Sequence, residues 1–181
     1  MPAGNTPDSF GWISRAIHWI MAVLIIAMLA FGTYIADMQP SLANLWLFGL
    51  HKSIGVSLLV LVILRLGWHR LSPPPASLTS DIPHWQMRAS GIVHALFYVL
   101  LIAAPLTGWI ASSATGIDTV LFNSVTLPAI APVSAAWEKT FFAAHGLATN
   151  LLIACIAIHT VGALQHHYIH RDATLRRMLR G

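Results

Sequence analysis

His145 and His159 bracket the apolar run "HGLATNLLIACIAIH" and stand fourteen residues apart. On a helix that interval is about 21 Å of axial rise and returns to within about 40° of the same face. One helix face therefore offers two imidazoles at two depths. Imidazole is both a proton carrier and the commonest metal ligand of proteins. In an apolar helix such a residue is costly, and it marks a functional position by default.

The rest of the chain sets the surroundings. Of 181 residues, 56% are hydrophobic and 9% charged, with a mean hydropathy of +0.70. A soluble domain of this size needs far more charge to cover its surface, so the chain is an integral membrane protein. Histidine is as frequent as lysine and arginine together, at ten residues each. A net charge of +4 comes without a basic patch interleaved with aromatics, which argues against nucleic acid as a partner. The single cysteine, Cys155, excludes disulfides and cysteine-ligated clusters within one chain and reads as a small buried hydrophobe. The first apolar segment has no basic region ahead of it and no small-residue cleavage site after it, so it reads as a retained span.

About 20 apolar residues cross a bilayer as helix, and four segments suffice: 13–36, 45–69, 88–112 and 140–167. Together they predict an all-α four-helix bundle forming one domain over 1–181. Pro105 and Gly108 interrupt the third span, which membrane helices tolerate. The stretch "LSPPPASLTSDIPHW" forms a loop by its prolines, and the link 113–139 is expected to lie along the membrane surface. Four spans put both termini on one side. With them lie Arg15, Arg65, Arg70, Arg88, Arg171, Arg176, Arg177 and Arg180, against Lys52 and Lys139 opposite. Eight against two orients the termini to the cytoplasm.

Direction of travel then sorts the histidines by leaflet. His51 and His145 fall in the outer half; His18, His94 and His159 fall in the inner half. Paired imidazoles facing each other across a bundle suit a low-spin haem, whereas zinc wants three or four ligands and finds no carboxylate at these depths. The same interval of fourteen leads from His18 to Gly32 and from His51 to Arg65. Gly32 would let a macrocycle edge approach the outer site, and Gly55 and Gly162 offer further room. Arg65 would neutralise a haem propionate at the inner site or snorkel to the headgroups. Lys52 and Lys139 read either as an anion-steering pair or as interfacial anchors. Near the inner end, His166, His167 and Tyr168 are candidates for binding quinone or handling protons; His166, one heptad beyond His159, is the better one, and His167 and His170 read as a solvated helix end. His69 and His84 flank the loop and carry no assigned role.

The segments "AIHW", "HKSIGVSLLVLVILRL", "HALFYVLLIAAPLTGW", "IAIHTVGALQHHY" and "DATLRRML", one or more in every span, resemble the bacterial cytochrome b561 family over nearly the whole chain. The resemblance implies a four-helix inner-membrane protein with two b-type haems stacked across the bilayer, exchanging electrons with the quinone pool. Carried over residue by residue, it pairs His18 with His159 at the inner haem and His51 with His145 at the outer. The outer pair coincides with the depth argument; the inner pair comes from the resemblance, because depth alone leaves His94 in contention. One family member oxidises periplasmic superoxide and reduces ubiquinone, so a superoxide:ubiquinone oxidoreductase is the leading expectation. The alternative is an electron-transfer subunit anchoring a larger dehydrogenase or hydrogenase complex. A histidine-lined metal or proton transporter is a third reading, and it predicts a colourless protein.

Overall fold

A computed structural model describes residues 2–78 and 83–180 of the chain. Each apolar run forms one helix: α1 (Trp12–Ala36), α2 (Leu45–Leu71), α3 (His84–Ala114) and α4 (Ala135–Gln165). All four are long and apolar enough to cross a membrane. Their outward faces carry Val23, Ile26, Val60, Ile63, Ile92, Val99, Leu151 and Val161, all exposed. Such a belt is unfavourable in water and favourable in hydrocarbon, where a helix also satisfies its own backbone. The buried seam is narrow, running through Met21, Ile25 and Met28 of α1, Leu58 and Val62 of α2, Leu100 and Ala104 of α3, and Ala148, Leu152 and Cys155 of α4. Cys155 is thus the buried free thiol expected.

Packing follows chain order. α1 lies on α2, α2 on α3, and α3 most closely on α4, whereas α4 stands off α1 and α2. The tight α3–α4 seam uses small residues, with Ala104 of α3 and Ala148 of α4 both in the buried core, as membrane helices do where backbones approach. On the looser side, Ile26, Leu29, Ile153 and Ile156 line an open apolar groove of about 160 Å³ between α1 and α4.

The structure moves several expected boundaries. α3 starts at His84, directly after Pro83, whose fixed φ of −55° suits a helix start; "HW" therefore belongs to the helix and not to the loop. Of that loop, residues 79–82 lie outside the described residues. α4 starts at Ala135, where the Ser134 hydroxyl accepts the Trp137 N–H at 3.4 Å. The 113–139 link holds an unforeseen antiparallel hairpin, β1 (Thr119–Leu121) with β2 (Val125–Leu127). The loop between them is Phe122, Asn123 and Ser124; Phe122 and Asn123 both have positive φ, 46° and 56°, and the Ser124 N–H donates to Leu121 O at 2.9 Å. The Phe122 N–H donates to Ser53 Oγ at 2.9 Å, pinning the hairpin tip to α2.

At the opposite end α4 runs into a π-helical turn, His166–His170. Arg171 follows in the left-handed region at φ 54°, and a short helix α5 (Thr174–Leu179) folds back beneath the bundle. Arg15 Nη1 donates to Leu179 O, Trp19 Nε1 to Met178 O and Arg177 Nη1 to Ala76 O. Asn5 bonds Ser72 through its N–H and its side-chain amide. Both termini and the α2–α3 loop therefore gather at one end of the bundle, and the hairpin caps the other.

Candidate functional site

At the hairpin end, His51 in the second turn of α2 faces His145 in the third turn of α4, with ring centres 6.2 Å apart. Each ring lies against a glycine of a neighbouring helix. A Cβ on Gly32 would sit 3.0 Å from His51 Cε1, and one on Gly108 would sit 3.1 Å from His145 Nδ1. Gly32 is at this site as expected, but the close approach it permits is that of the imidazole itself. Gly108 was invisible in sequence because it lies 37 positions from His145 and meets it only through α3–α4 packing. The absence of a side chain there lets His145 Nδ1 reach Ala104 O at 2.8 Å. A carbonyl only accepts, so Nδ1 carries the proton and Nε2 keeps its lone pair, the tautomer that metal-ligating histidines adopt. His51 Nδ1 is buried and has no hydrogen-bond partner among the described residues.

At the terminal end, His18 of α1 and His159 of α4 have ring centres 6.3 Å apart. His94 of α3 lies closer to His159, at 5.3 Å, and Phe97 packs against the same ring at 5.4 Å. Arg65 of α2 points to His18: its Nη2 lies 3.3 Å from His18 Nδ1, and its buried Nε has no hydrogen-bond partner among the described residues. His69, given no role from sequence, meets the Tyr98 hydroxyl through Nδ1 at 3.2 Å, joining α2 to α3 beside Arg65; only the contact between those helices could have revealed it. His84 projects from the first turn of α3 and is exposed.

The accessory residues separate. Lys52 is half-buried beside His51 and within electrostatic reach of Asp118, at the foot of the hairpin. Lys139 is exposed on the second turn of α4. His166 pairs through Nδ1 with Asp172 Oδ2, and Asp172 Oδ1 also accepts the Thr174 N–H at 2.8 Å. Burial would raise the Asp172 carboxyl, but the bonds from His166 and Thr174 outweigh it and hold it below the usual range. His170 stacks 5.4 Å from His166, and His167 meets Tyr168 edge-on. Gly55 and Gly162 face open space.

These residues fit b-type haem. A metal bound by two imidazoles at about 2 Å each holds ring centres roughly 6 Å apart, as both the His51–His145 and His18–His159 pairs are. Among the described residues no group of three or more histidine, cysteine or acidic side chains is arranged to hold a bare metal ion.

The chain matches the family described as prokaryotic cytochrome b561 over residues 9–181. It is 33% identical to "Cytochrome b561 homolog 2" of Escherichia coli (strain K12), covering 97% of this chain and 93% of that one. It is 30% identical to "Cytochrome b561 homolog 1" of the same organism, over 90% and 92% of the two chains. To "Probable superoxide oxidase CybB" of Yersinia pestis it is 27% identical, over 94% and 95%. Four membrane-length helices, histidines facing each other across them and a match spanning almost every residue have one reading: this is a membrane electron-transfer protein of the prokaryotic cytochrome b561 family.

Proposed function

We propose that the protein carries two b-type haems, one between His51 and His145 and one between His18 and His159, and moves electrons from a periplasmic donor to quinone. The observation carrying this reading is the pair of matched ring separations, 6.2 and 6.3 Å, hung on one helix, α4. His94, at 5.3 Å from His159, is too close to share a metal at the same spacing and lines the site instead. The arginine asymmetry supports cytoplasmic termini in a bacterial inner membrane, so that the hairpin end is periplasmic. Superoxide as donor rests on the name given to the relative from Yersinia pestis and on an outer pair lying close beneath the hairpin end.

Bound haem supplies one-electron storage at each site, and the chain supplies the rest. The Ala104 carbonyl and Gly108 fix the ring of His145. The guanidinium of Arg65 can only donate, so His18 Nδ1 accepts in the arrangement seen. To hold haem through Nε2, His18 would carry its ring proton on Nδ1, and Arg65 would then be the group to bond a propionate. At the cytoplasmic end, quinone takes two electrons and two protons to become quinol, and two superoxide ions, each losing one electron to become dioxygen, balance it. His166, oriented by Asp172, presents its other ring nitrogen as the group that bonds a quinone oxygen and exchanges a proton with it.

Purified protein given superoxide and a soluble ubiquinone should form quinol without a partner subunit. His51→Ala or His145→Ala should remove one of two low-spin haems, and His94→Ala should retain both. Quinol formation that requires a second polypeptide would replace the stand-alone oxidoreductase with the reading as an anchoring subunit. Halved haem content in His94→Ala would overturn the inner pair.

A further inference from the structure

The two histidine pairs sit in different electrostatic surroundings. At the terminal-end pair, Arg65 brings a permanent positive charge to within 3.3 Å of His18, and it acts electrostatically on His18, His69 and His94. Among the described residues no ion pair joins Arg65 to a carboxylate. Arginine does not lose its proton in proteins, which makes this charge independent of pH.

At the hairpin-end pair the positive charges have carboxylates near them. Lys52, next to His51, has Asp118 within electrostatic reach, and Lys139 follows Glu138 directly in the chain. Asp37 ends α1 at the same end. A fixed positive charge favours whichever redox state of a neighbouring centre is less positive, which is the reduced one, and in low-dielectric surroundings it does so over several ångströms.

We propose that Arg65 sets the direction of electron flow, by making the His18/His159 site the better electron acceptor of the two. Its role is positioning of charge, not contact with substrate. A propionate bonded to Arg65 leaves the sign unchanged, because removing the guanidinium would then expose an uncompensated carboxylate beside the same site. The inference rests on the two-haem reading above. It adds to that reading a source for the difference between the sites and a direction, inward from the hairpin end.

The test is optical potentiometry on the purified, haem-loaded protein. Two components should appear in the wild type, and the one surviving in His51→Ala, the His18/His159 site, should have the higher midpoint. In Arg65→Gln that midpoint should fall until, at the wild-type midpoint, the ratio of reduced to oxidised drops about tenfold, which is about 59 mV for one electron. The other component should move much less, and Arg65→Lys should restore most of the shift. Asp118→Asn, on an exposed loop, should raise the hairpin-end midpoint by unbalancing Lys52. If Arg65→Gln does not retain its haem, this second variant decides. A His18/His159 component that is the lower one in wild type, or that stays put in Arg65→Gln, overturns the proposal. So does a hairpin-end midpoint unmoved in Asp118→Asn. A single component in wild type would instead remove the two-haem reading and leave this charge argument without a subject.

Discussion

His145 shows how much one side chain depends on an atom that is missing from another. Its ring lies where a Gly108 side chain would be, and from there it reaches the Ala104 carbonyl. Gly108→Val should push the ring off α3 and break that bond. Loss of a buried hydrogen bond and the overpacking each cost about 1–3 kcal/mol. The expected outcome is a protein that loses the haem at the His51/His145 site and keeps the other, read from haem content and the low-spin spectrum. The histidines themselves were legible in the sequence because hydrocarbon makes each of them conspicuous. Gly108 was not, since membrane helices use glycine for ordinary packing as well and nothing local distinguishes the two uses. Tyr98 and His69 escaped for a related reason: their bond exists only where α2 and α3 meet.

At the scale of elements, the spans were legible because a bilayer imposes a length and a composition on any helix that crosses it. The hairpin was not, because three-residue strands carry no periodicity to read and its turn uses Phe122 where glycine or asparagine is the usual signal. The turn after α4 was also missed. A helical projection carries His166 on from His159, but the chain widens into a π turn and reverses at Arg171, bringing Asp172 back onto His166. The Asp172 carboxyl lies below its ordinary value of 3.8. A group with a depressed folded value contributes stability above its unfolded value and loses it as pH falls through the folded one. Docking of the tail should therefore hold from neutral pH down to about 4 and weaken only below that. Asp172→Asn should loosen it across the whole range. Amide exchange of residues 172–180 as a function of pH measures both, and tail protection that already falls between pH 7 and 5 would contradict the assignment.

For the whole molecule, the chain-order packing leaves α4 held firmly by α3 and loosely on the side of α1 and α2. The histidine pairs bridge that loose side, so a flat group bound between them, as proposed above, would help to complete the bundle. The orientation proposed here rests on the arginines, a long-range property that sequence alone conveys. Reporter fusions to the two ends should both report cytoplasmic placement, and one inserted at the Phe122–Asn123 turn should report the opposite side. A periplasmic signal from either terminus would invert the direction of the electron path described above.

The tail beneath the bundle also bears on how the protein is made. Arg177 and the carbonyls of Met178 and Leu179 bond partners in the N-terminal segment, the α2–α3 loop and the first turns of α1. These contacts join residues up to 170 positions apart, so none can form until the last span has left the ribosome and entered the bilayer. The latch therefore closes only on a bundle whose four helices have all arrived in the right order and orientation. A bundle with α1 out of place would leave the carbonyls of Met178 and Leu179 without the partners they have here.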